Sequence, residues 1–174
     1  MKDLFVLTAD ADMQAVFRAI LVRHEVLGIR QIDFTVDRHT NRDSGVFRTG
    51  PEFLRAIPKQ EYARFLIAFD HDGSGCSKSV SDCAEIVQAR LNSCSFTDRS
   101  SVVIIEPELE EWLWHDAAPD PKERLQREFL KSHMRPPRVR DYEQIAAQAN
   151  LTAWESSVSF RNLKATLQDW FPRE

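Results

Sequence analysis

Leu4–Leu7, Phe65–Phe69 and Val102–Ile105 are apolar at every position. A strand with one wet face alternates polar and apolar residues, so uninterrupted runs predict strands covered on both faces. Ile32, Phe34 and Val36 do alternate with polar neighbours, which predicts a strand with one covered face at a sheet edge. Between these segments the apolar spacing changes to threes and fours. Met13, Val16, Phe17, Ile20 and Leu21 follow capping residues in Thr8–Asp12 and predict a helix, with Gly28 closing the region. Val80, Ala84, Val87 and Leu91 predict another. Arg38–Gly50 is polar with two glycines and is expected to be a loop, followed by a short helix over Pro51–Ile57 with Pro51 in its first turn. Strands separated by helices imply right-handed βαβ crossovers. The expected fold is therefore α/β: a Rossmann-like, mainly parallel sheet of about four strands flanked by helices.

From about Ala117 the pattern becomes polar and helical, punctuated by Pro119, Pro121, Pro136 and Pro137. Helices are expected near Lys122–Lys131 and Arg140–Ala149. A last one carries Phe160, Leu163, Leu167 and Trp170 on one face. Helices this short need tertiary support, so residues 117–174 are expected to dock on a core of residues 1–116 as one compact domain.

A net charge of −4 gives no global basic field of the kind that announces nucleic acid. No apolar stretch reaches membrane-spanning length. Cys76, Cys83 and Cys94 form no CxxC pair, which argues against a disulfide framework or zinc site and fits a reducing cytoplasm. Met1-Lys-Asp-Leu-Phe-Val-Leu enters a strand at once, without a signal-peptide layout, in keeping with a cytoplasmic protein.

Candidate chemistry gathers where the strands end. On a parallel sheet, one rim receives Asp10 and Asp12, then Asp70 and Asp72, then Glu106, Glu108 and Glu110. Like charges held close raise one another's pKa unless a cation neutralises them, and oxygen-rich sites suit Mg²⁺ or Mn²⁺. Asp70 and Asp72 point the same way on an extended chain, and Gly73-Ser-Gly75 lets a phosphate approach the backbone. Capping and turn roles are the alternative for each acid. His71 and His115 are weaker acid–base candidates, and Cys76 has no evident base. Trp112 and Trp114 suggest core or partner contacts. Lys131, Arg135, Arg138 and Arg140 surround a proline pair and are candidate nucleic-acid or phosphate contacts; Arg38, His39, Arg42 and Arg48 form a looser cluster.

Asp70-His-Asp72, preceded by a strand-end acid and followed by Glu106-Pro-Glu-Leu-Glu-Glu-Trp112, resembles a Toprim-type domain, the metal-binding fold of topoisomerases, primases and overcoming-lysogenization-defect nucleases. Its Asp-x-Asp maps onto Asp70 and Asp72, while Asp10 stands where the family carries a glutamate, and the Glu-Gly turn is absent. Over nearly the whole chain, Leu7-Thr-Ala-Asp10, Phe69-Asp-His-Asp-Gly73, Pro107-Glu-Leu-Glu-Glu-Trp-Leu-Trp114 and Leu163–Pro172 are similar to small bacterial proteins of methylation-associated antiphage defence systems. The resemblance implies a defence component with a Mg²⁺ (or Mn²⁺) site at Asp10, Asp70, Asp72, Glu108 and Glu110. Asp10, Asp70, Asp72 and Glu106 would be catalytic in a nuclease or phosphotransferase. The alternative is an inactive sensor subunit docking other defence proteins through Trp112, Trp114 and the helical tail.

Overall fold

The computed structural model describes residues 1–114 and 120–173. Four parallel strands, β1 (Lys2–Thr8), β2 (Phe34–Arg38), β3 (Tyr62–Asp70) and β4 (Ser100–Ile105), form one sheet in the order β2-β1-β3-β4. Leu4–Leu7 and Phe65–Phe69 are buried throughout, as uninterrupted apolar runs require of central strands covered on both sides. The alternating segment becomes β2 at the sheet edge. From β1 the chain moves to one side for β2, then crosses to the other for β3 and β4. The ends of β1 and β3 therefore flank a switch point, where open α/β sheets leave a crevice.

The helices are α1 (Ala11–Leu21), α2 (His24–Leu27), α3 (Arg42–Arg55), α4 (Val80–Ser93), α5 (Pro121–His133), α6 (Val139–Gln148), α7 (Leu151–Trp154) and α8 (Val158–Trp170). α3 packs on β1 and β3 and touches α4, whereas α6 packs on α1 and α8 on β4. Trp112 links the tail to the core: its ring meets Phe17 of α1, Trp154 of α7 and Phe160 of α8. Its indole N–H donates to Ser159 Oγ at 2.8 Å, so full burial leaves no orphaned donor. Trp112 is thus a core residue and unavailable as a docking surface. Trp114 is half-buried, donates to the Pro121 carbonyl and lies under the Arg124 guanidinium. No described helix is long and apolar enough to cross a membrane.

The expected loop at Arg38–Gly50 is largely helix, and Pro51 lies inside α3 rather than at its start. The two glycines pack closely instead of turning the chain. A Cβ on Gly50 would come 3.3 Å from Ile67 Cδ1 on β3, and one on Gly45 would overlap the His39 ring. Pro51 cannot donate to the Phe47 carbonyl four residues back. Arg90 of α4 fills that place, its Nη1 donating to Phe47 O at 2.8 Å while Nη2 donates to Arg48 O. A neighbouring helix thus satisfies the carbonyl that Pro51 leaves open.

Candidate metal centre

The rim is assembled from four elements. Asp10 follows β1 and caps α1, accepting the Met13 N–H at 2.9 Å. It takes the capping role the sequence allowed, from a position at the strand end. Asp12, in the first turn of α1, is pushed up to about 6 by burial and then by the charges of Asp10 and Glu110. Asp70 ends β3 with 9% of its surface exposed. Its backbone N–H donates to Asp43 Oδ1 of α3 at 2.8 Å. Burial first, then Asp43, Glu110, Asp10 and Glu108, hold the Asp70 carboxyl well above the usual carboxylate range. Its Oδ1 is buried without a hydrogen-bond partner.

Beyond β4, the short 3₁₀ segment Leu109–Leu113 turns Glu110 inward. Glu110 is almost fully buried and accepts the Tyr142 hydroxyl at 2.6 Å. The tyrosine phenol is driven upward by burial and by the Glu110 charge. Glu108 is raised by burial, with Glu110, Asp72 and Asp43 adding to the effect and Lys122 opposing it. Its buried Oε2 accepts no hydrogen bond, and Lys122 Nζ lies 3.9 Å away. Burial pulls the Lys122 ammonium down, but Glu110, Glu108, Asp70 and Asp10 outweigh it and leave the group raised. A cation is already the favoured companion of this rim.

Lys122 stands between two clefts. One, of about 870 Å³, is lined by Asp10, Asp12, Arg38, Arg42 and Val139 among others. The second, of about 340 Å³, contains Asp72 and Glu108. Asp72 is exposed, its N–H donating to Pro107 O at 3.2 Å. Glu106 faces elsewhere, lining a cleft with Glu111, Ser157 and Ser159 beside α8. The structure therefore gathers Asp10, Asp70, Glu108 and Glu110 but not Glu106, whose proposed catalytic partnership with Asp70 has no geometric support.

Asp43, Lys122 and Tyr142 were missed in the sequence. Asp43 lies in the polar segment expected to be a loop, and only the four-residue spacing of Val46, Gly50 and Leu54 signals that it opens a helix on the sheet. Lys122 and Tyr142 arrive from the tail, and no local pattern announces them.

The basic stretch is partly committed to structure. Arg135 forms a fork on Asp141 at 2.6 and 3.0 Å, and Lys131 pairs with Glu128 at 3.5 Å. Arg138 and Arg140 are exposed on either side of Val139, which lines the larger cleft. His39 is buried, its Nε2 3.1 Å from Thr49 Oγ1 and its Nδ1 accepting the Asn41 N–H, and burial lowers its pKa. His115 lies outside the described residues.

Cys76 and Cys83, not expected to pair, are joined as a disulfide with Cα atoms 6.4 Å apart. Gly73 and Gly75, both at positive φ, fold the loop back onto α4 and bring together cysteines that spacing alone did not connect.

The chemistry of the rim fits a hard divalent cation. Its donors are carboxylate oxygens, and two buried ones, Asp70 Oδ1 and Glu108 Oε2, lack a hydrogen-bond donor. The carboxylates do not form a tight triplet; among the described residues, the candidate ligand atoms gathered within 4.8 Å belong to His71, Cys76 and Cys83. Mg²⁺ typically keeps several waters and takes only one or two carboxylates directly, so a wider acidic rim suits it. In comparisons with protein-family models, curated proteins and solved structures, the chain matches none.

Proposed function

We propose that this chain is a Toprim-like, Mg²⁺- or Mn²⁺-dependent protein acting on phosphodiesters, a nuclease or phosphotransferase serving in antiphage defence alongside other defence proteins. One observation carries the reading: Asp70 Oδ1 is buried without a partner at the sheet's switch point, with Asp43, Glu110, Asp10 and Glu108 all raising its pKa. Asp70 and Glu108 would hold the ion, with Asp10 and Glu110 adding negative charge and Asp72 at the neighbouring cleft. When bound, such an ion polarises a phosphodiester and stabilises the leaving oxygen. Asp43 fixes the end of β3 through the Asp70 peptide. Asp12, with a pKa of about 6, can hold or take a proton near neutral pH. Lys122, Arg38 and Arg42 supply positive charge for a phosphate in the larger cleft. Incubating labelled single- and double-stranded DNA and RNA with Mg²⁺ or Mn²⁺ tests this: the wild type should nick at least one substrate and Asp70→Asn none. Equal product from both proteins would contradict it.

A second reading, a non-catalytic sensor subunit, draws on the engagement of Asp10 in capping and of Glu110 with Tyr142. It predicts ion-dependent stabilisation without cleavage of any nucleic acid.

A further inference from the structure

The turn that carries the acidic pair holds a second set of ligands of different chemistry. His71 lies between Asp70 and Asp72, and its ring reaches α4. Its Nε2 is 3.9 Å from Cys83 Sγ, and the His71, Cys76 and Cys83 ligand atoms all lie within 4.8 Å of one another. A tetrahedral zinc with Zn–S near 2.3 Å and Zn–N near 2.0 Å separates its sulfur and nitrogen ligands by roughly 3.5 Å. The separation here differs from that by a few tenths of an ångström.

The turn is also built to hold these groups. The His71 N–H donates to Ile105 O at 2.8 Å, which ties it to the end of β4. The Ser74 hydroxyl donates to the His71 carbonyl at 2.7 Å, and Ser74 Oγ accepts the Cys76 N–H at 3.1 Å. One buried serine thus sets the positions of two of the three ligands. Cys83 is fully buried on α4, whose Ser79 cap fixes the first turn by accepting the Asp82 N–H. The Lys78 carbonyl faces both His71 Nε2, at 3.0 Å, and Cys83 Sγ, at 3.6 Å.

We propose that, in the reduced protein, His71, Cys76 and Cys83 form a zinc site, separate from the carboxylate rim and leaving one tetrahedral position open. A thiol reductant supplies two electrons and two protons and converts the disulfide to two thiols. Zn²⁺ then displaces both thiol protons to solvent and accepts the lone pair of His71 Nε2, whose proton, donated to the Lys78 carbonyl in the oxidised protein, passes through solvent to Nδ1. The Nε2 contact to Lys78 O is given up for the metal. Thiolates and imidazole select zinc, whereas the carboxylate rim selects harder ions.

The test uses full-length protein reduced with a water-soluble phosphine, which does not compete as a thiol ligand. After addition of zinc and desalting, metal analysis should find one equivalent in the reduced wild type and none in the oxidised form. Co²⁺ in place of zinc should give thiolate-to-metal charge-transfer absorption. Cys76→Ser, in the loop, and His71→Gln should each bind zinc roughly tenfold or more weakly, while Asp70→Asn keeps full stoichiometry. A reduced wild type that binds no zinc would overturn the proposal, as would binding that survives Cys76→Ser or disappears in Asp70→Asn.

Discussion

The peptide N–H of Asp70 donates to the carboxylate of Asp43 across 2.8 Å, fixing an acid at the start of α3 to the end of the central strand β3. Two carboxyl groups are thereby held in a buried place: burial and then the Asp43 charge raise Asp70, while burial and the Asp10 charge raise Asp43 against the opposing Asp70 N–H. Folding alone does not call for such an arrangement. A bound cation would relieve it.

Replacing Asp70 with asparagine keeps the shape and removes the charge. The new amide can donate toward the surrounding carboxylates, so the metal-free protein should gain about 1–3 kcal/mol. For a chain of this size each kcal/mol corresponds to about 2–4 °C in melting temperature. Thermal unfolding in chelator-treated buffer measures it; a loss of stability would mean the Asp70 charge is already compensated.

The pH dependence has a defined sign. Asp12 is raised from 3.8 to about 6, and Asp43, Asp70 and Glu108 are raised as well. The folded state therefore holds these protons more tightly than the unfolded chain. The stability this contributes is complete below about pH 4 and is lost as pH rises through the folded values. Asp3, Glu52 and Asp141 are lowered, Asp141 to about 2, and act in the opposite sense only in stronger acid; His39, lowered from 6.5 by burial, is a single group opposing the four acids between pH 5.5 and 8. Metal-free protein should melt at a higher temperature at pH 5.5 than at pH 8, and added Mg²⁺ should narrow the gap by stabilising mainly at pH 8. A melting temperature that rises from pH 5.5 to pH 8 without metal would oppose this picture.

Tyr142 is the buried donor to Glu110. Tyr142→Phe leaves that carboxylate oxygen unsatisfied and should cost about 1–3 kcal/mol in urea unfolding. Because Glu110 belongs to the rim, saturating Mg²⁺ should recover part of the loss; an equal loss with and without the ion would separate Glu110 from the metal site.

Arg90 and Pro51 should be energetically coupled. Arg90→Met strips the Phe47 carbonyl of its donor, whereas Pro51→Ala restores a helical N–H to it. The double variant should therefore be more stable than the sum of the single changes predicts, by about 0.5–3 kcal/mol. Strict additivity in the four-protein cycle would show that Arg90 does not substitute for the missing N–H.

Much of the architecture is visible in the chain because burial on two faces leaves a direct mark. Phe65–Phe69 has no polar interruption, and Phe34–Val36 alternates at the edge. The helix α3 was hidden because Gly45 and Gly50, which approach His39 and Ile67 closely, resemble turn residues in sequence. At the rim, strand order alone brings Asp10, Asp70 and the group Glu106, Glu108 and Glu110 together. It does not say which of the three glutamates faces the crevice, because spacing after a strand does not fix which side of the next turn points inward. Asp43, Lys122 and Tyr142 come from distant segments, and the Cys76–Cys83 pairing depends on the path of a glycine turn; neither leaves a periodic signal.

The central claim, a divalent-cation site centred on Asp70, is tested most directly by titrating Mn²⁺ into the protein and following free ion by electron paramagnetic resonance. The wild type should remove Mn²⁺ from the free pool, Mg²⁺ should displace it, and Asp70→Asn should leave the free signal close to that of buffer. Equal Mn²⁺ uptake by wild type and Asp70→Asn, or no uptake by either, would contradict the account.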